Sequence, residues 1–280
     1  MAAEHEEIPS FSDEFDDEFV VGGEESNRAF FGRNVLRRGL IEGIDDFIER
    51  EPPLRRSHYT SDPAMLGSVM WINDPELISK LEELSGACIV VKKQPRSDKR
   101  GKLQPLRELN ERTPGLPVQA FPALADLAPK VEGQPVVLGP YSGMYEGMIP
   151  TIRTLGYRKR GDLLVPFMHA KLALLGHLWW TDDGLFGEEV IGFKPRRLWV
   201  SSANFTSSSR RTLEFGYWTE DAALVEGAER FLLKAIAFSE DLDAEADHLE
   251  PDLAPVEFDE EAFAEALADM DWDEEEGEEV

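Results

Sequence analysis

A histidine and a lysine separated by one residue, His169 and Lys171, stand in the apolar run Met168-His169-Ala170-Lys171-Leu172-Ala173-Leu174-Leu175. Downstream, Val200-Ser201-Ser202-Ala203-Asn204-Phe205-Thr206 and then Leu213-Glu214-Phe215-Gly216 add hydroxyls, an amide and a carboxylate. Side chains of a strand alternate between its two faces. With these apolar runs extended, His169 and Lys171 project from one face, and Ser202 and Asn204 from one face of a second strand. The histidine can be a nucleophile or an acid, the lysine supplies positive charge and the amide donates hydrogen bonds. A carboxylate can orient an imidazole. Together these groups suit a developing phosphorane and ask for no metal. The catalytic candidates are therefore His169, Lys171, Asn204 and Glu214, with Ser202 as hydrogen-bonding support.

The elements that would position them follow from the hydrophobic pattern. Leu163 to Leu175, Arg197 to Phe205 and Thr212 to Thr219 read as strands, and Ala222 to Phe238 as a helix burying Leu224, Ala228, Phe231, Leu232, Ala235 and Ile236. Upstream, Ser68 to Ile72 and Ala87 to Lys92 read as strands. Between them Asp74-Pro75 makes an N-cap followed by proline at the first helical position, with Leu77, Ile78, Leu81 and Leu84 as the apolar stripe. This β-α-β order predicts a parallel pair with a crossover helix. Val35 to Ile48 carries apolar residues at three- and four-residue intervals within a helical segment beginning near Asn27 and stopping before Pro52-Pro53. A strand is expected at Pro135 to Leu138, and a short helix around Phe258, Phe263, Leu267 and Met270. His177, just before a turn, is expected at an exposed rim.

Charge divides the chain unevenly. The formal net charge is −27, yet residues 1–26 hold 10 acidic and no basic side chains, and residues 240–280 hold 20 and none. All 29 basic residues lie in 27–239 against 26 acidic ones, so the body is mildly basic between two acidic arms. The expected organisation is an acidic disordered tail over 1–26, a helical segment over 27–64, a catalytic domain over 65–239 and an acidic tail over 240–280. Basic clusters at Lys92-Lys93, Arg96, Lys99 to Lys102, Arg158 to Arg160, Lys194 to Arg197 and Arg210-Arg211 are candidates for a nucleic-acid groove, with Arg210 and Arg211 closest in sequence to the motif. Trp179, Trp180, Phe186 and Trp199 suit base stacking or, more often for such residues, core packing. Cys88, the single cysteine, sits in an apolar run and reads as a buried, inert thiol. With no apolar leader or run of about 20 apolar residues, a cytoplasmic protein without stable membrane association is expected. The histidines have no zinc-like spacing, so neither metal nor other cofactor is expected.

His169-x-Lys171, Ser201-Ser202-x-Asn204 and Glu214 resemble the HxK…GSxN…E signature of the phospholipase D superfamily. The resemblance runs from about Leu163 to Ser239 and extends weakly back to Met65. Two positions depart from the pattern. Gly176 stands where the family has an aspartate five residues after the lysine, and Ser201 stands where it has a glycine. Asp182 and Asp183, in the following turn, are the nearest candidates to replace that aspartate. The resemblance implies an α/β fold with a mixed sheet flanked by helices on both faces, and phosphodiester hydrolysis through a phosphohistidine. Two-motif members pair their histidines across one centre. The single motif here thus implies a homodimer, with His169 of one copy as nucleophile and that of the other as acid. Nucleic acid is the expected substrate. The alternatives are a phospholipase or phosphatidyl transferase, and an inactive phosphate-binding module acting through its acidic tails on a protein partner.

Overall fold

The computed structural model describes residues 19–21, 27–56, 58–94, 101, 103–139, 147–156, 168–182, 188–244 and 250–269. Ten strands form one mixed sheet: β1 (Phe19–Val21), β2 (Ala29–Gly32), β3 (Leu54–Arg56), β4 (Tyr59–Val69), β5 (Gly86–Lys92), β6 (Ile152–Leu155), β7 (Leu172–Asp182), β8 (Glu188–Ser201), β9 (Glu214–Thr219) and β10 (Glu240–Asp241). Their order is β1-β2-β9-β8-β7-β4-β5-β6-β10, with β3 against the start of β4. The β4–β5 and β5–β6 pairs are parallel and the others antiparallel.

Helices cover both faces of this sheet. The first layer holds α1 (Glu42–Arg50), entered through a π-helical turn at Leu36–Ile41, with α2 (Pro75–Leu81) and α3 (Gln104–Arg112). The second holds α4 (Ala222–Ala237) and the segment from Leu116 to Leu124. Period-two alternation supplies both cores from single strands. Met65, Ile89, Ala173 and Leu175 pack with Leu36, Leu40, Ile44, Leu77 and Leu106 on one side. Leu66, Cys88, Val90 and Leu174 pack with Leu232 and Ile236 on the other. Burial pushes the Cys88 thiol up to about 12, so it stays protonated.

The β-α-β order forms as its sequence predicts, but its first strand ends at Val69, so Met70 to Ile72 of the expected strand follow β4. Asp74 Oδ1 accepts from the backbone N–H of Glu76 and Leu77, both at 3.1 Å, and α2 crosses between parallel β4 and β5. The N-terminal part differs from the expected helical segment. β2 precedes the helix and pairs with β9, and β4 begins well before residue 65, so residues 27–64 share the sheet and core of the rest. The reason is a close approach. The Trp199 and Trp218 rings fill the space that side chains would need at Gly39 and Gly43, and Trp218 Nε1 donates to the Gly39 carbonyl at 2.9 Å. Those two glycines let the helix lie on the sheet.

The C-terminal segment also continues the fold past the expected boundary at 240. Glu240–Asp241 extends the sheet, Leu253–Pro255 pairs with Leu127–Pro129, and Glu257–Phe258 pairs in parallel with Val137–Leu138. Helix α5 (Glu260–Asp269) follows. On α4 the buried face is rotated from the expected one. Val225 and Leu233 are buried, while Leu224 and Phe231 are exposed. Among the described residues no helix is long and apolar enough to cross a membrane.

Candidate active site

The sheet brings the motif residues to one of its ends. β7 starts, β8 ends and β9 starts there, beside the C-terminal ends of the parallel strands β4, β5 and β6. Clefts outside the carboxyl ends of parallel strands are the usual ligand sites of open α/β sheets. His169 and Lys171 precede β7 instead of lying within a strand, and residues 163–167 of the expected strand lie outside the described residues. Ser202 and Asn204 likewise follow β8, in the turn after Ser201. Catalytic side chains placed just past strand ends can converge without breaking ladder hydrogen bonds.

Lys171 Nζ lies 3.2 Å from His169 Nδ1 and 3.3 Å from Nε2. The imidazole is exposed, whereas Lys171 is only 9% exposed. Burial holds the lysine below its ordinary pKa, and the negative charge of Glu214 partly opposes that shift. Ser202 Oγ donates to Glu214 Oε2, and Thr212 Oγ1 donates to Oε1 at 2.8 Å. The carboxylate expected to orient the imidazole is thus held by two hydroxyls, with its charge acting on Lys171. Ser202 also receives the Phe215 N–H at 3.0 Å, and Ser201 Oγ donates to the Phe215 carbonyl at 2.8 Å while accepting from the Ala203 N–H at 2.9 Å. A glycine at 201 would lose both of those bonds. Asn204 Oδ1 is buried and has no hydrogen-bond partner. Buried amide oxygens without partners are uncommon and mark positions where a further polar group is accommodated.

The Asn204 turn is clamped from outside the motif. Phe205 bridges to Ile72, and its carbonyl accepts from the N–H of Asn73 (2.9 Å) and Asp74 (3.1 Å). Asn73 Oδ1 receives the Ser207 N–H at 3.2 Å. Asp74, fully buried, both caps α2 and accepts from Arg210 Nε and Nη2 at 2.6 and 2.5 Å. Arg210 also pairs with Glu76 at 2.7 Å, and these acidic partners raise its pKa. Arg210, expected as a substrate contact, is therefore engaged by the β-α-β unit, while Arg211 is exposed. Asp74 was legible as a helix cap. Its second partner, 136 residues away, had no local signal.

The other expected cations divide similarly. Lys93 pairs with Glu240 at 2.8 Å and Arg196 with Glu51 at 3.2 Å. Arg197, nearly buried, stacks 4.6 Å over the Trp218 ring. Arg96, Lys99, Arg100, Lys102 and Arg158 to Arg160 lie outside the described residues. Trp199 is buried in the core, and Trp180 packs against the second core layer. Phe186 lies outside the described residues. His177 is buried instead of rimming the surface. Its ring sits 5.0 Å from that of Phe47, and its Nε2 lies 3.2 Å from the Glu51 carbonyl.

Gly176 has a steric explanation. A Cβ there would fall 2.5 Å from the Phe193 ring and closer still to the Lys194 carbonyl, at a register shift between β7 and β8. No side chain fits. Asp182 lies at the far end of β7, opposite Glu188, roughly 35 Å along the chain from Lys171 at about 3.3 Å per residue. It cannot replace an aspartate at the site, and Asp183 lies outside the described residues.

No family model and no curated protein matches this sequence. Among solved structures, the fold is similar to NucT from Helicobacter pylori, at 12% identity and a TM-score of 0.43, covering 76% of this chain and 96% of that one. It is also similar to polyphosphate kinase from Porphyromonas gingivalis, at 13% identity and a TM-score of 0.41, covering 80% of this chain and 27% of that one. The chain thus spans about a quarter of the kinase.

Proposed function

We propose that the protein is a phosphodiesterase acting on nucleic acid, with its active site completed by a second copy of the chain. The observation that carries this reading is the meeting of His169, Lys171, Asn204 and the Ser202–Glu214 pair at one end of the sheet. Lys171 is there desolvated beside an exposed imidazole. One imidazole nitrogen of His169 attacks phosphorus and forms a P–N bond. The P–O bond to the leaving group breaks, and the leaving oxygen takes a proton from His169 of the second copy. Water then attacks phosphorus from the opposite side, returning its proton to that histidine as the P–N bond breaks. Lys171 and the Asn204 amide face the non-bridging oxygens, where low local dielectric strengthens their effect. Each Glu214 oxygen keeps a lone pair beyond its hydroxyl partner and can accept an imidazole N–H.

This machinery needs no metal, because Lys171 and Asn204 stabilise the charge that a cation would otherwise meet. The test is turnover of a chromogenic phosphodiester and of labelled DNA and RNA in excess chelator, with trapping of a phosphoprotein in acid-quenched samples. Sustained turnover and an acid-labile, His169-dependent phosphoprotein are expected. Loss of activity on chelation that magnesium restores would refute the mechanism. Equilibrium sedimentation checks the homodimer, since a monomer with full activity is incompatible with a shared site.

A further inference from the structure

Beyond the edge of α4, the sheet exposes an apolar face directly beside the site. Helix α4 packs on β5, β4, β7 and β8. The same face continues onto β9 and β2, where Phe215 and Phe31 are 45% and 44% exposed. The two are register partners, so their side chains rise together about one strand spacing apart, ~4.8 Å. Leu213, 56% exposed, precedes Glu214 at the rim.

This row is tied to the candidate site and has a positive charge at its near end. Phe215 directly follows Glu214, and its carbonyl receives the Ser202 N–H at 3.0 Å. Exposed Arg211 lies at the site end of the row. Exposed aromatic faces beside an arginine suit unpaired polynucleotides, because every base offers a π-face and every nucleotide a phosphate. A base inside a duplex is already stacked on both sides and cannot use such a surface.

We propose that the β9–β2 face carrying Phe215 and Phe31 is a stacking platform for unpaired bases of a single polynucleotide strand, which passes over the rim at Leu213 toward His169. The proposal rests on the phosphodiesterase reading for where the strand leads. Binding to the platform does not depend on it. The test is fluorescence anisotropy with three labelled probes: a thymidine oligonucleotide, an abasic oligomer of the same length and the matching duplex. The thymidine strand binds tightest to the wild-type protein. Phe215→Ala and Phe31→Ala each weaken its binding roughly 5- to 100-fold and leave abasic binding unchanged. Phe215→Tyr, which keeps a stacking face, retains most of the affinity. Hydrolysis of a small chromogenic phosphodiester, which has no nucleobase, stays near wild type in every variant.

The platform is overturned if the alanine variants bind the thymidine strand within twofold of wild type, or if the abasic oligomer binds as tightly. It is equally overturned if the variants dissociate a dimer while thymidine affinity per protomer is unchanged, since the face is then an interface between copies. Intact thymidine binding without turnover of the small diester would refute the catalytic reading and leave the platform standing. Turnover without thymidine binding would do the reverse.

Discussion

Two polar clusters sit at different places on the same sheet, and they are finished to different degrees. Around Arg153, which is 1% exposed, every partner is in place. Nε donates to Ser239 Oγ at 2.8 Å, Nη2 to the Ser239 carbonyl at 3.1 Å, and the guanidinium forks onto Asp252. Beside it, fully buried Glu240 accepts from Lys93 at 2.8 Å and from the Glu250 N–H at 2.9 Å. At the candidate site, Asn204 Oδ1 has no partner, His169 is exposed and Lys171 is held near an imidazole at a lowered pKa. A saturated buried network fixes structure, because removing any member strands the others. An unsaturated, partly open cluster has capacity left for a reacting group.

Breaking the open cluster should cost activity and little stability. His169→Ala is expected to lower kcat for a phosphodiester by about 10³-fold or more while leaving the melting temperature within about 1 °C, since the ring is exposed. Lys171→Ala should follow it, and Glu214→Gln should fall less, by roughly tenfold to a hundredfold. Near-native turnover of His169→Ala in preparations free of contaminating nuclease would displace the site.

Breaking the closed cluster should do the opposite. Arg153→Ala leaves Asp252 and Ser239 without their partner and is expected to cost about 3–5 kcal/mol, seen as a loss on the order of 10 °C in melting temperature. Below the transition, the surviving folded protein should keep its kcat. A fall in kcat at constant stability would join the two clusters functionally and end the contrast.

The contrast also marks what was legible in the sequence. The β-α-β unit could be read because Asp74-Pro75 and the stripe Leu77, Ile78, Leu81 and Leu84 are local signals, and the motif residues because their types and order are distinctive. The Arg153 cluster could not. It joins residues 99 apart, and Asp252 lies in a stretch whose acidic composition resembles a solvated tail. Composition reports the average environment of a segment, while one buried ion pair is enough to anchor it. Strand ends were misplaced for a related reason. His169, Ser202 and Asn204 fit an alternating pattern, yet the ladder stops where polar side chains need space. Gly176→Asp tests that limit directly. Restoring the aspartate of the phospholipase D pattern should destabilise by about 1–3 kcal/mol through overlap with Phe193 and the Lys194 carbonyl, without raising kcat.

Lys171 sharpens the comparison through pH. Its folded pKa lies below the unfolded value, so the charged lysine costs stability at pH values below the folded pKa. That cost is relieved as pH rises through it and vanishes above the unfolded value near 10.4. Lys171→Met should therefore be inactive yet more stable than wild type at neutral pH, with the advantage shrinking in alkaline buffer. The alkaline limb of kcat/KM in the wild type should fall below the range of an exposed lysine, and Lys171→Arg should move it upward. An unshifted limb in Lys171→Arg would assign the titration to another group.

The smallest expected effect concerns the acidic arms, of which residues 240–241, 253–255 and 257–258 pair with strands of the body. Deleting 240–280 removes β10, Glu240 and Asp252, so it should destabilise the protein through the Arg153 cluster whatever its effect on binding. Whether the acidic arms compete with the substrate's phosphates for the basic side chains is better tested on residues 270–280, with seven acidic residues, and residues 1–18, with eight. The second has a topological reason to matter. β1 is antiparallel to β2, Phe19 pairs with Phe31, and Gly32 pairs with Glu214, so β1 begins at the candidate-site end of the sheet. Competition with substrate phosphates for Arg211 and Lys171 is the hypothesis that removal of residues 1–18 tests. Removing residues 1–18 should tighten polyanion binding about two- to tenfold at low salt and steepen the dependence of log K on log salt, because more cations become available to release counterions. Removing 270–280 should do less. Equal, negligible effects of both deletions at two salt concentrations, with dimerisation intact, would leave the arms as solubilising segments or as docking sites for a protein partner.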